Sequence, residues 1–193
     1  GQAASQLEAM LTARPLKEVR VFDINLERAQ AFVAQMEELL SEFETTFIAL
    51  DDISAVVQGA DVITTVTTSK QPTFKAEDVK EGAHINGVGA YTPEMKEVPA
   101  GIIARADRII FDTMDGVLAE AGDFISPLED GVVTEADYHG ELGQVVREEV
   151  AGRASDKDIT IFKTVGSAVL DIVTAQAIVN KAKEQGIGLE LDV

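Results

Sequence analysis

Short apolar, β-branched runs recur along this chain and constrain its fold more than any other feature. They are Val19–Ile24, Thr46–Leu50, Asp61–Thr65, Ala83–Val88, Arg108–Asp112 and Ile159–Lys163. Most are continuous rather than strictly alternating. A strand with one face in water alternates apolar and polar residues, whereas a continuous run suits a strand covered on both faces, as in a parallel sheet. Segments with helical spacing lie between the runs. Leu26–Phe43 places Ala29, Phe32, Val33, Met36 and Leu40 on one stripe. Asp52–Gln58 reads as a short helix ended by Gly59, and Thr134–Ala151 as a helix broken near Gly140. Ser167–Gln185 is the longest, with Val169, Leu170, Val173, Ala177 and Ile178 expected to face inward and Gly186 to end it. Turn formers mark loops at Thr68–Pro72, Ser126–Gly131 and Gly152–Asp158. Strands alternating with helices predict an α/β fold with a doubly wound, mostly parallel sheet.

Composition narrows the chemistry. The 193 residues are 46% hydrophobic and 26% charged, enough for one sizeable core. No apolar run is long enough for a transmembrane helix, so no membrane partner is expected. No basic stretch followed by an apolar one opens the sequence, and the expected location is the cytoplasm. The absence of Cys excludes disulfides, thiolate catalysis and zinc–thiolate sites. A net charge of −18 repels phosphate backbones, so nucleic acid is not an expected partner. His84 and His139 lack metal-ligand spacing, and no metal site is expected. His84 reads as a strand histidine with its hydrogen bonds satisfied.

The amino-terminal stretch is informative. Ala3–Ala13 reads as a helix carrying Leu7, Met10 and Leu11, ends near Arg14-Pro15, and is followed by the strand that closes on Asp23. In dinucleotide folds a Gly-rich turn joins the first strand to the first helix, and an acidic residue roughly 20 positions later holds the ribose hydroxyls. Gly1, Ala3 and Asp23 fit the second part of that pattern. The first strand and the leading glycines are not in this sequence. That strand sits centrally in the order 3-2-1-4-5-6, so its neighbours are expected to lack a shared partner. The chain therefore reads as part of a longer protein.

Several stretches, taken in order, make the chain resemble the ornithine cyclodeaminase/μ-crystallin family over nearly its whole length. They are Gly1-Gln2-Ala3 with Leu7-Glu8-Ala9, Val19-Arg20-Val21-Phe22-Asp23, Asp61–Thr67, Gly82–Ala90, Glu120-Ala121-Gly122-Asp123, Gly140-Glu141-Leu142-Gly143 and Thr160–Gly166. The resemblance implies a Rossmann-like domain at 1–166, and a C-terminal helix and tail at 167–193 that return toward a substrate and dimerisation domain. It implies an NAD(P)-dependent enzyme acting on a small amino or cyclic imino acid by hydride transfer at the α-carbon. Ornithine cyclodeamination (a lyase reaction), ketimine reduction and alanine dehydrogenation are the family's activities. A homodimer is expected of the full-length protein. In the family a separate N-terminal domain clamps the substrate carboxylate, so this chain alone is not expected to catalyse. A binding protein of the μ-crystallin kind, with cofactor but no turnover, is the alternative.

The resemblance also carries residue expectations. Gly1, Gln2 and Ala3 would face the pyrophosphate from a helix N-terminus. Asp23 would accept the ribose hydroxyls and select NAD, with Asn25 and Arg28 leaving NADP open; the competing reading is a turn aspartate capping the next helix. Thr65, Val66 and Thr67, with Thr68 and more weakly Ser69, would lie near the adenosine ribose, unless β-propensity alone explains them. Val88, Gly89 and Ala90, after Asn86, and Val165 with Gly166 would approach the nicotinamide, the small residues allowing close backbone contact. Tyr91 stands where the cyclodeaminases carry an aspartate. A phenol, with pKa ~10, is a poor base but can donate a hydrogen bond, so imine reduction gains over cyclodeamination and Tyr91 is the catalytic candidate. Glu120, Asp123 and Glu141 read as solvated turn and cap residues, and Lys163 as a strand-end charge or a substrate contact.

Overall fold

The computed structural model describes residues 1–189 and Leu191. Helix α1 (Gln2–Ala13) leads into β1 (Glu18–Val21), α2 (Leu26–Leu39), β2 (Thr46–Ala49), α3 (Ile53–Val57) and β3 (Val62–Thr65). Strand β4 (His84–Gly87), α4 (Ala100–Ile103), β5 (Arg108–Phe111), α5 (Met114–Glu120) and α6 (Gly122–Glu129) follow. The chain closes with β6 (Gly140–Glu141), α7 (Leu142–Val146), β7 (Thr160–Lys163) and α8 (Ala168–Gln185). Local chemistry sets several boundaries. Asn25 Oδ1 accepts from the N–H groups of Glu27 and Arg28 to start α2, and Asp52 Oδ1 does the same for α3 through Ser54. Gly186, at φ +64°, ends α8 in the left-handed region.

All strand pairs are parallel, as the continuous apolar runs predict. They form a five-stranded sheet in the order β3-β4-β7-β5-β6 and a separate pair, β1-β2. Among the described residues no strand lies between β1 and β3, so each pairs on one side only. This is the arrangement expected where two strands lack a shared neighbour. Arg20 on β1 partly bridges the gap, donating to the carbonyls of Ala55 (3.0 Å) and Gln58 (2.8 Å) at the end of α3.

The two faces of the larger sheet differ. On one, Ile63, Ile85, Ile161 and Ile109 stand in register across four strands, and all are buried. Helices α4, α5 and α6 cover this face through Ile102, Ile103, Val117 and Phe124. Phe111, Phe124 and Tyr138 pack with ring centroids 5.1–5.8 Å apart, and the Tyr138 hydroxyl donates to the Phe124 carbonyl at 2.7 Å. The opposite face carries Thr64, His84, Asn86 and Phe162, half-buried. A second apolar cluster, Leu11, Met36, Leu40 and Phe47, holds α1 and α2 on the β1-β2 pair.

Three expectations need correction. The segment 134–151 is not a broken helix. It holds a 3-10 turn at Glu135–Asp137, then β6 and the short α7. Gly140, at φ +143°, turns the chain into an edge strand beside β5. The turn formers around Ser126 are not a loop, because α6 continues to Glu129 with Phe124 and Pro127 buried. Helix α8 does not face inward. None of its residues is buried, and Val169, Leu170, Ile172, Val173 and Ile178 are exposed because no element among the described residues packs against them.

This asymmetry gives a direct test by urea unfolding. Phe111→Ala empties the packed core and is expected to cost about 3–5 kcal/mol. Ile172→Lys on α8 is expected to change stability by less than about 0.5 kcal/mol. Similar losses for both would show that α8 packs on the domain.

Candidate functional site

Within each sheet every strand pair is parallel, so the carboxyl ends of its strands open at one edge, where ligands of open α/β sheets lie. Helix α1 precedes β1 through a short turn, so it runs antiparallel to that strand and brings its N-terminus back to the same edge. Gly1 caps it without a side-chain hydrogen bond, leaving first-turn N–H groups of Gln2 and Ala3 without an intrahelical acceptor. Gly1 and Gln2 are exposed. Asp23 follows β1, half-buried, with Oδ1 accepting from the Asn25 N–H at 2.8 Å. Asn25, not Asp23, caps α2.

After β3, Thr65 is buried with its hydroxyl 3.5 Å from the Asn86 carbonyl, Val66 is half-buried, and Thr67 and Thr68 are exposed. After β4 the chain runs through Val88, Gly89 and Ala90 to Tyr91, which is 51% exposed. The two loops cross. A Cβ on Gly89 would collide with the backbone nitrogen and carbonyl oxygen of Thr67. Gly89 is therefore demanded by the crossing itself.

A buried glutamate that the sequence did not single out holds the crossing. Glu97 is 0% exposed. Its Oε1 accepts from the Thr67 N–H at 2.5 Å, and its Oε2 from the N–H groups of Gly89 (2.7 Å) and Ala90 (2.9 Å). Asp123, also buried, accepts through Oδ1 from the N–H groups of Glu97 (2.5 Å) and Val98 (2.9 Å). Lys163 lies at the carboxyl end of β7, on the same face as the isoleucine row, fully buried. Its Nζ donates to the Ala90 carbonyl at 2.6 Å and sits 3.4 Å from Asp123 Oδ2, which has no hydrogen bond of its own among the described residues. Burial lowers the Lys163 pKa, while Asp123 and Glu97 oppose that shift. Asp123 and Lys163 are thus internal groups, not the solvated turn and strand-end charges their positions suggest.

The turn after β7 is held in the same way. Asp112 Oδ2 accepts from the Thr164 hydroxyl (2.5 Å) and from the N–H groups of Val165 and Gly166 (3.0 Å each). Glu141 Oε1 accepts from the Met114 N–H at 2.8 Å. Carboxylates thus consume the N–H groups of Gly89, Ala90, Val165 and Gly166. The α1 end presents free N–H groups, whereas at the β4–β7 end the loop N–H groups are taken and half-buried Val88 and Val165 stand beside the exposed Tyr91. Glu120 is exposed and joins none of these networks among the described residues. There, no group of three acidic or histidine side chains converges to hold a metal, and no helix is long and apolar enough to cross a membrane.

These features define a doubly wound α/β domain of the dinucleotide-binding type. The sequence profile of the ornithine cyclodeaminase/mu-crystallin family matches residues 1–186. The chain belongs to that family. A Delta(1)-pyrroline-2-carboxylate reductase of Bacillus cereus is 35% identical over 191 residues, covering 99% of this chain and 58% of the relative. The structure of Thermococcus litoralis Delta(1)-pyrroline-2-carboxylate reductase in complex with NADH and L-proline superposes with a TM-score of 0.92 at 32% identity, over 98% of this chain and 58% of that one. An archaeal alanine dehydrogenase dimer with bound NAD gives a TM-score of 0.88 at 30% identity, over 99% and 57%. The chain thus spans a little over half the length of the relatives it matches.

On the polar face, His84 Nδ1 lies 2.7 Å from the Thr160 hydroxyl and Nε2 lies 3.0 Å from Asn86 Oδ1. This is the satisfied strand histidine expected from its position. Burial lowers its pKa, with the positive charges of Arg153 and Arg14 adding to the shift. The unfolded chain then binds a proton that the folded chain resists. The stability His84 contributes is complete above about pH 6.5 and is lost as pH falls below it toward the folded pKa. His84→Gln should flatten the stability–pH curve below about pH 6.5 relative to wild type, read by urea midpoints. Parallel curves for the two proteins would refute the assignment.

Proposed function

We propose that this chain is the cofactor-binding domain of an NAD-dependent oxidoreductase that reduces a small cyclic imino acid, of the Δ1-pyrroline-2-carboxylate type, at its α-carbon. The single observation that most supports this is a division between the carboxyl ends: free N–H groups at α1 suit a pyrophosphate, and loops whose N–H groups are already taken, with half-buried Val88 and Val165, suit a ring that carries no negative charge. The likeness to a pyrroline-2-carboxylate reductase in complex with NADH and to an alanine dehydrogenase with bound NAD supports the same cofactor.

In this reading Gly1, Gln2 and Ala3 lie against the phosphates, and the Asp23 carboxylate accepts the ribose hydroxyls and repels a 2′-phosphate. Thr65, Val66 and Thr67 flank the adenosine ribose. Val88, Gly89, Ala90, Val165 and Gly166 form the wall behind the nicotinamide. The dinucleotide, when bound, supplies the hydride. Tyr91, exposed at that wall, donates a hydrogen bond to the substrate nitrogen. An aspartate there would suit deamination, so the phenol favours imine reduction over ornithine cyclodeamination.

Residues 1–166 form the cofactor domain, and 167–189 return toward a substrate domain that also joins two subunits; residues 190, 192 and 193 of the tail lie outside the described ones. The exposed apolar side chains of α8 support that course. Turnover belongs to the whole protein.

The test is NADH oxidation by the full-length protein with Δ1-pyrroline-2-carboxylate, giving L-proline, beside ornithine as a competing substrate. Faster ornithine conversion with ammonia release would make it a cyclodeaminase, and no turnover of either would sink the reading. Asp23→Ala should weaken NADH binding about tenfold, the loss of charge-assisted hydrogen bonds, while NADPH affinity changes far less. Equal losses would remove Asp23 from the ribose.

A further inference from the structure

Tyr91 follows a residue with no freedom left. The Ala90 N–H is taken by Glu97, its carbonyl by Lys163, and its side chain is fully buried. The preceding Gly89 N–H is also taken by Glu97, and through the same carboxylate the loop after β3 is pinned at Thr67. Glu97 is held in turn by Asp123, which receives the N–H groups of Glu97 and Val98 while its second oxygen faces Lys163. Three charged side chains, all 0–1% exposed, are spent on a few backbone groups of two loops. A domain core does not require this arrangement, because an apolar set of similar volume would often be neutral or stabilising. The arrangement does confer a fixed geometry on the segment that leads to Tyr91.

We propose that Glu97 is a positioning residue for the nicotinamide half of the cofactor site, fastening the loops after β3 and β4 together and, with Lys163 and Asp123, fixing where Val88 and Tyr91 stand. This inference deepens the reductase reading and rests on it for the identity of the ligand. Glu97 touches neither cofactor nor substrate. Its carboxylate must accept on both oxygens at once. A glutamine can accept on one only, and its amide nitrogen would then oppose a backbone N–H.

The test uses the full-length protein and its Glu97→Gln variant, with Asp123→Asn as a second, milder change that keeps an acceptor for the Glu97 and Val98 N–H groups. Amide exchange in peptides spanning Thr67 and Gly89–Ala90 is followed without ligand. The dissociation constants of NADH and of ADP-ribose, which lacks the nicotinamide, are then measured. Glu97→Gln should speed exchange at those amides and weaken NADH about tenfold more than ADP-ribose, the cost of leaving a buried donor unpaired. kcat for imine reduction should fall more than KM for the imino acid changes. Asp123→Asn should shift the NADH to ADP-ribose ratio in the same direction by less. Equal weakening of both ligands, or exchange confined to other segments, would make Glu97 merely structural and overturn the proposal. If wild type binds NADH but reduces no imino acid, the reductase reading fails while the ligand ratio still decides the role of Glu97. If wild type binds neither ligand, the cofactor reading fails and the positioning role falls with it.

Discussion

The isoleucine row across β3, β4, β7 and β5 is the contact on which the rest of the molecule depends. It seats four strands in one register against α4, α5 and α6, and so brings their carboxyl ends level. Burying each isoleucine is worth roughly 1.5–3 kcal/mol relative to exposure. That apolar energy is what lets the next row of the same face carry Thr65, Gly87, Lys163 and Phe111, of which Lys163 is a buried charge. The site is thus the last layer of the core, where packing gives way to hydrogen bonding.

At that layer, carboxylates replace water as acceptors for loop N–H groups. Glu97 serves the loops after β3 and β4, Asp112 the turn after β7, and Glu141 the start of α5. A loop whose N–H groups are already satisfied keeps its shape before any ligand arrives. The chain's acidity, which in the sequence says only that nucleic acid is a poor partner, has part of its structural use here.

Much of the architecture was legible because it is local or periodic. Each of the apolar runs became a strand, and the stripe over Leu26–Phe43 became α2, shortened at its end. Strand β6 was not legible: Gly140–Glu141 is too short for any pattern, and only pairing with β5 makes it a strand. The exposure of α8 was not legible, because an apolar spacing tells which residues share a face, not whether anything covers that face. Asp23, Val88–Tyr91 and Val165–Gly166 could be named as candidates by resemblance to a known pattern. Glu97 could not. It sits between Lys96 and Val98 with no motif of its own, and its burial comes from a crossing with Thr67, thirty positions earlier in the chain. Lys163 reads as a strand-end charge for the same reason, since its partners lie at Ala90 and Asp123.

The opening between β1 and β3 also affects how this chain behaves in solution. Each of those strands turns a row of unmatched backbone donors and acceptors outward, and a bare edge is a template for whatever strand meets it first. The net charge of −18 works against that, because like-charged bodies repel before their edges meet. Such repulsion reaches only about 10 Å at 0.1 M salt and about 3 Å at 1 M. Rising ionic strength therefore removes most of the repulsion that guards these two edges.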